Sequence, residues 1–101
     1  MPPFHLTEDA ILDIDAIWLY LLKREGVETA DRIVTELFKG YDDLTNLPNR
    51  GHRRPDLTGR PVLFHRVYSY LIIYSPASEP IQIHAVLHGK RNVARILKRR
   101  P

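Results

Sequence analysis

No cysteine occurs in this 101-residue chain, which rules out disulfide staples and thiolate metal sites and is compatible with a reducing compartment. No apolar run approaches the ~18 residues that a membrane-spanning helix needs. Residues 1–5 have none of the basic, apolar and cleavage regions of a secretory signal, so a cytosolic protein with no membrane partner is expected. There is no internal repeat and no low-complexity segment. Phosphate-cradling glycine loops and serine or cysteine triad signatures are missing too. The five histidines, at 5, 52, 65, 84 and 88, lack a close pairing with carboxylates. On one extended strand His84 and His88 would stand about 13 Å apart, too far to chelate one zinc ion. No metal and no cofactor are expected.

What remains is a globular composition, 44% hydrophobic, at a length that suits one domain spanning 1–101. A chain of this size buries roughly two thirds of its unfolded surface and needs no staples. Its charge is divided. Residues 1–47 hold ten acidic and four basic side chains, a net of −6; residues 48–101 hold two and eleven, a net of +9, and the two sum to the overall +3. The second half is thus suited to meeting something acidic.

Hydrophobic spacing divides the chain further. Residues 3–6 read as a short strand. Thr7 offers a hydroxyl N-cap, with Glu8 and Asp9 in the first turn of a helix over 8–25. Its stripe is Ile11, Ile14, Trp18 and Leu21, with Ile17 and Leu22 alongside, and Asp13 and Asp15 fall off it. Trp18 is expected in the core, and Gly26 suits the C-terminal end. A second helix, 29–46, carries Ile33, Leu37, Phe38, Tyr41 and Leu44. The short connection predicts an antiparallel helical hairpin. Residues 48–61 form a proline- and arginine-rich loop. Strands follow at 62–67, 69–74 and 81–88, joined by short turns and therefore antiparallel. Residues 92–101 form a basic tail, with 93–98 as a short helix or an extended arm, and Lys98-Arg99-Arg100 read most simply as solvated.

The fold class is α+β, with an N-terminal strand and a two-helix hairpin packed on one face of a small antiparallel sheet. Strict alternation in the last strand sends Ile81, Ile83, Ala85 and Leu87 under the helices and Gln82, His84, Val86 and His88 to the opposite face. That opposite face is the expected working surface, and the strand ends by delivering His88, Gly89, Lys90 and Arg91 to its margin.

Four segments carry a family resemblance: Leu6-Thr7-Glu8-Asp9-Ala10 opening a helix with Ile17-Trp18, the loop Pro48-Asn49-Arg50-Gly51-His52-Arg53-Arg54-Pro55-Asp56-Leu57, the strand Ser69–Tyr74, and Val86-Leu87-His88-Gly89-Lys90-Arg91-Asn92. In order and spacing they resemble the ParE/RelE superfamily of toxins from type II toxin–antitoxin modules, and the ParE branch most closely. The resemblance implies a β-α-α-β-β-β order and a cytosolic toxin that causes growth arrest and stabilises plasmids. It implies a hetero-oligomer with an acidic ParD-like, ribbon-helix-helix antitoxin. ParE toxins act on DNA gyrase, whereas RelE toxins cleave mRNA on the ribosome. Cleavage needs proton carriers and cations for the developing phosphorane charge. Here Leu71 stands where RelE toxins carry arginine, Leu97 stands near their tyrosine, and the loop before the sheet has no lysine. Arginine is a poor substitute as a proton carrier. A gyrase inhibitor without catalytic residues of its own is therefore expected. The alternatives are a ribosome-dependent endoribonuclease using His88 and Arg91, or a degenerate, non-toxic relative.

The expected target-binding residues are His88, Lys90, Arg91, Arg60 and Arg66. Arg60 or Arg66 would stand in for an arginine that many ParE sequences have at Leu63, and Asn92 replaces the usual aspartate. His88 has a second reading, as a strand-end histidine that fixes the Gly89 turn through a backbone hydrogen bond. The expected antitoxin-binding residues are Leu12, Leu19 and Tyr20 on the first helix, with Arg53 and Arg54. Asp56 should pair with one of these two arginines, leaving the other for the partner.

Overall fold

The structure, a computed structural model, describes residues 3–101. Its elements are β1 (Phe4–Leu6), α1 (Glu8–Glu25), α2 (Val27–Asn46), β2 (Leu63–Val67), β3 (Tyr70–Ser75), β4 (Ile81–His88) and α3 (Val93–Arg99). Thr7 caps α1 as its sequence suggests, with Oγ1 accepting from the Ala10 amide at 3.2 Å. Gly26, at φ 97°, donates to the carbonyls of Leu21 and Leu22 and directly precedes α2. One left-handed residue therefore makes the whole hairpin connection, and α2 begins at Val27, two residues earlier than its periodicity predicts. No helix among the described residues is long and apolar enough to cross a membrane.

The four strands lie in the order β1-β4-β3-β2. The tight turns make β2–β3 and β3–β4 antiparallel as expected. The sheet is nevertheless mixed, because β1 pairs with β4 in parallel, Phe4 opposite Ile81 through Leu6 opposite Ile83. β1 reaches the sheet through the whole helical hairpin, so no short turn constrains its direction.

The expected alternation of β4 fails midway. Its register with β3 jumps from Ile73–Ala85 to Tyr74–Ile83, leaving His84 as one extra residue. This is a β-bulge. Ile81 and Ile83 pack under the hairpin as predicted, but beyond the bulge it is Val86 that joins them, while Ala85 and Leu87 face the other way.

Both sheet faces are consequently covered. The hairpin side buries Ile14, Ile17, Leu37, Tyr41 and Leu44 against Ile72, Tyr74 and Ile83. Gly40 lets α2 approach closely, because a Cβ there would meet Val67 Cγ2 at 3.0 Å and Ile72 Cδ1 at 3.1 Å. The opposite face, expected to be open, buries Phe64, Ile73, Ala85 and Leu87 beneath Val93 and Leu97 of α3 and Val62 of the preceding loop. α3 is a true helix, capped by Asn92, whose Oδ1 accepts from the Arg95 amide at 3.2 Å. Asparagine serves at such a position as well as aspartate does.

The α1 stripe also differs from its sequence reading. Ile11 is 47% exposed, while Ala10 and Asp13 are buried. Trp18 is only half-buried, and its Nε1 donates to Asp31 Oδ1 of α2 at 2.9 Å. Asp13 accepts from the Val86 amide at 3.0 Å and takes both guanidinium nitrogens of Arg100 at 2.8 and 2.7 Å. The C-terminal tail is therefore not solvated at Arg100. It runs from the far face back to the hairpin and ties off the stretch of β4 that lies beyond the end of β1.

Candidate functional site

The bulge decides which side of the sheet the end of β4 serves. Val86 and His88 face the hairpin, and with it they line a cleft of about 850 Å³. α1 contributes Ile17, Tyr20 and Arg24, the first turns of α2 contribute Arg32 and Ile33, and the sheet contributes Tyr68, Tyr70, His88 and Arg91. The floor is apolar and the rim is aromatic and cationic.

Backbone hydrogen bonds fix the rim. The Gly89 amide donates to the Ser69 carbonyl at 2.8 Å, joining the β2–β3 turn to the end of β4. The Arg91 amide donates to the His88 carbonyl at 3.0 Å, and the Lys90 amide donates to His88 Nδ1 at 3.1 Å. An Nδ1 that accepts leaves the neutral ring with its proton on Nε2, which remains available at the cleft. His88 thus has the turn-fixing role given as its second reading, without losing its outer nitrogen. Its ring stands edge-on to Tyr70, with centroids 5.4 Å apart. Burial, helped by nearby Tyr20, holds the Tyr70 hydroxyl above its ordinary pKa, so it stays a neutral donor. The Arg24 guanidinium lies 5.5 Å from the centre of the Tyr20 ring, within cation–π range.

The charge of the cleft is positive. Arg24, Arg32 and Arg91 line it against Glu25 and Asp13, and Asp13 is already paired with Arg100. The hydrogen bonds to Asp13 hold Arg100 above even the usual guanidinium pKa, so the guanidinium stays charged.

The structure gathers some of the expected target residues and separates others. His88 and Arg91 share the cleft, and Lys90 is exposed beside them. Arg66 is exposed on edge strand β2, where its Nε donates to the Tyr68 carbonyl at 2.9 Å and so braces the cleft rim from behind. Arg60 lies elsewhere, bound through its guanidinium to the carbonyls of Arg100 and Pro101. The expected antitoxin residues divide three ways. Leu12 and Leu19 are 58% and 49% exposed on the outer face of α1, next to Ile11. Tyr20 is on the cleft side. Arg54 makes the anticipated pair with Asp56, at 2.9 and 2.8 Å, and Arg53 is exposed. Leu97 is buried under the opposite sheet face, where Leu71 packs against the same cluster. The sheet thus separates both positions from His88.

Sequence reasoning missed Asp13, Arg24, Arg32, Tyr68 and Arg100. For Asp13 a signal was present. A stripe counted from Ala10 runs 10, 13, 14, 17, 21 and includes it.

Comparison with known proteins agrees with this architecture. The family described as "ParE toxin of type II toxin-antitoxin system, parDE" matches residues 4–93. A solved structure, the chromosomal ParDE TA system from P. aeruginosa, superposes with a TM-score of 0.72 at 22% identity, covering 84% of this chain and 92% of that one. At that identity the likeness establishes the fold alone. No curated protein matches the chain.

Proposed function

The chain belongs to the ParE toxin family of type II toxin–antitoxin systems, and on that premise we propose that it arrests growth by binding and inhibiting DNA gyrase. The observation that carries the proposal is the cationic rim at the cleft mouth, where His88, Lys90 and Arg91 project beside Tyr20 and Tyr68. Such a rim grips a macromolecular surface. An acidic surface is attracted by the charge, and the aromatic rings supply contact area with little side-chain entropy to lose.

A ribonuclease reading has less support. His88 and Arg91 are together, but the positions that would complete an RNA-cleaving set are aliphatic and lie across the sheet, with Leu97 in the core. A binding role needs no proton shuttle and fits what the cleft contains.

Neutralisation would come from an acidic ParD-like antitoxin. Its apolar residues would cover Leu12 and Leu19 on α1, and its carboxylates would meet Arg53 and the cleft cations. The deciding experiment adds purified toxin to gyrase in a supercoiling assay and, in parallel, to a translation extract. Loss of supercoiling with intact transcripts is expected; unimpeded supercoiling at high molar excess would refute the gyrase assignment.

A further inference from the structure

Among the described residues, Tyr68 is the one non-glycine with positive φ, at 54°. A bulky side chain in the left-handed region is an outlier that its surroundings must enforce. Two hydrogen bonds enforce this one. Arg66 Nε donates to the Tyr68 carbonyl, and the Gly89 amide donates to the Ser69 carbonyl. One brace comes from β2, and the other from the turn that carries Lys90 and Arg91. A two-residue hairpin turn ordinarily places glycine or asparagine where φ is positive.

Burial does not account for the tyrosine. Its side chain belongs to neither core cluster, and the residue is 57% exposed. A largely exposed aromatic ring, carried on a strained and doubly braced backbone at the lip of a cationic cleft, has little to offer the fold and much to offer a binding surface.

We propose that Tyr68 is a contact residue for the protein that this toxin inhibits. Together with Tyr20 and Arg91 it forms a rigid lip that receives an acidic, partly apolar surface of that target. Charge complementarity selects the occupant, since Arg24, Arg32, Lys90 and Arg91 surround the lip while Glu25 is the one carboxylate lining the cleft besides the paired Asp13. Aromatic and arginine side chains are also the residues that most often dominate interface energies. The braced backbone fixes the point at which this side chain leaves the chain, so that the turn itself loses little order on contact. This inference rests on the toxin reading above but not on gyrase in particular.

The test compares the full chain with Tyr68→Gly and Tyr68→Phe. Glycine relieves the left-handed strain while adding backbone freedom to the unfolded chain, so the melting temperature should stay within about 5 °C of the parent or rise. Growth arrest on induced expression without antitoxin, at equal soluble protein, should nevertheless require at least about tenfold more Tyr68→Gly, and supercoiling inhibition should weaken by a similar factor. Tyr68→Phe should act like the parent. Undiminished arrest by Tyr68→Gly would overturn the inference, as would a collapse of its melting temperature, which would make the ring a structural element. Arrest by the parent without gyrase inhibition refutes the gyrase assignment and leaves Tyr68 judged on arrest alone. A parent chain that arrests nothing overturns both.

Discussion

Gly51 has no space around it. A Cβ there would meet Tyr74 Oη at 2.8 Å and the Phe64 carbonyl oxygen at 2.9 Å. Tyr74 Oη meanwhile accepts from the Gly51 amide at 3.0 Å and donates to the Pro48 carbonyl at 2.7 Å, pinning the start of the arginine loop to the core. Gly51→Ala should therefore cost about 2 kcal/mol through displacement of Tyr74, seen as a lower urea midpoint with an unchanged slope. Tyr41 presents the opposite case. Its hydroxyl is buried without a partner among the described residues, and burial with Asp13 nearby raises its pKa well above the ordinary phenol value. Tyr41→Phe removes an unsatisfied group and should leave stability unchanged or raise it by about 1 kcal/mol, measured in the same titration. Burial is also the first cause that lowers the pKa of His65 and His84, with Arg50 adding to it at His65 and Arg60 at His84. Their folded-state values lie below the ~6.5 of the unfolded chain, so the unfolded chain binds protons more readily. The stability these neutral rings permit is present above about pH 6.5 and falls away as pH drops below it. The Ser75 hydroxyl lies 2.6 Å from His84 Nε2; the melting temperature should decline from pH 7 towards pH 5, and His84→Gln, whose amide can keep that hydrogen bond, should flatten the decline.

At the scale of elements, the clearest dependence is that of α3 on α1. The bidentate pair between Arg100 and Asp13 leaves their side chains 21% and 7% exposed, so removing one partner strands a largely buried charge. Arg100→Ala should cost about 3 kcal/mol, and amide exchange in α3 should accelerate more than exchange in β3. Equal acceleration everywhere would mean that the pair does not act locally. Both helices of the hairpin and all four strands were legible from spacing alone, because a helix or strand that buries one face must repeat its apolar residues at its own period. What escaped the sequence were features with no period. The bulge at His84 is a register event between two strands. The burial of Asp13 depends on Val86 and Arg100, 73 and 87 residues away in sequence. The direction of β1 was open because its connection is long. The left-handed backbone at Tyr68 runs against the glycine and asparagine that mark such turns.

At the scale of the molecule, the acidic first half and basic second half meet along the cleft, where the rim cations of the sheet face outward. Long-range attraction of this kind sets association rates and is screened by salt. If the target surface is acidic, raising salt from about 50 to 300 mM should slow the onset of gyrase inhibition several-fold, and a salt-independent onset would count against electrostatic capture. Of the candidate site, the sequence showed the cations but not the side they serve. That was decided by one supernumerary position in β4. Were His84 held flat in the ladder instead of bulging, the residues after it would turn over like a page: Leu87 would point toward the helices, and the imidazole of His88 would be driven beneath α3. In such folds the difference between an outward-reaching grip and a muffled one amounts to an odd or an even count.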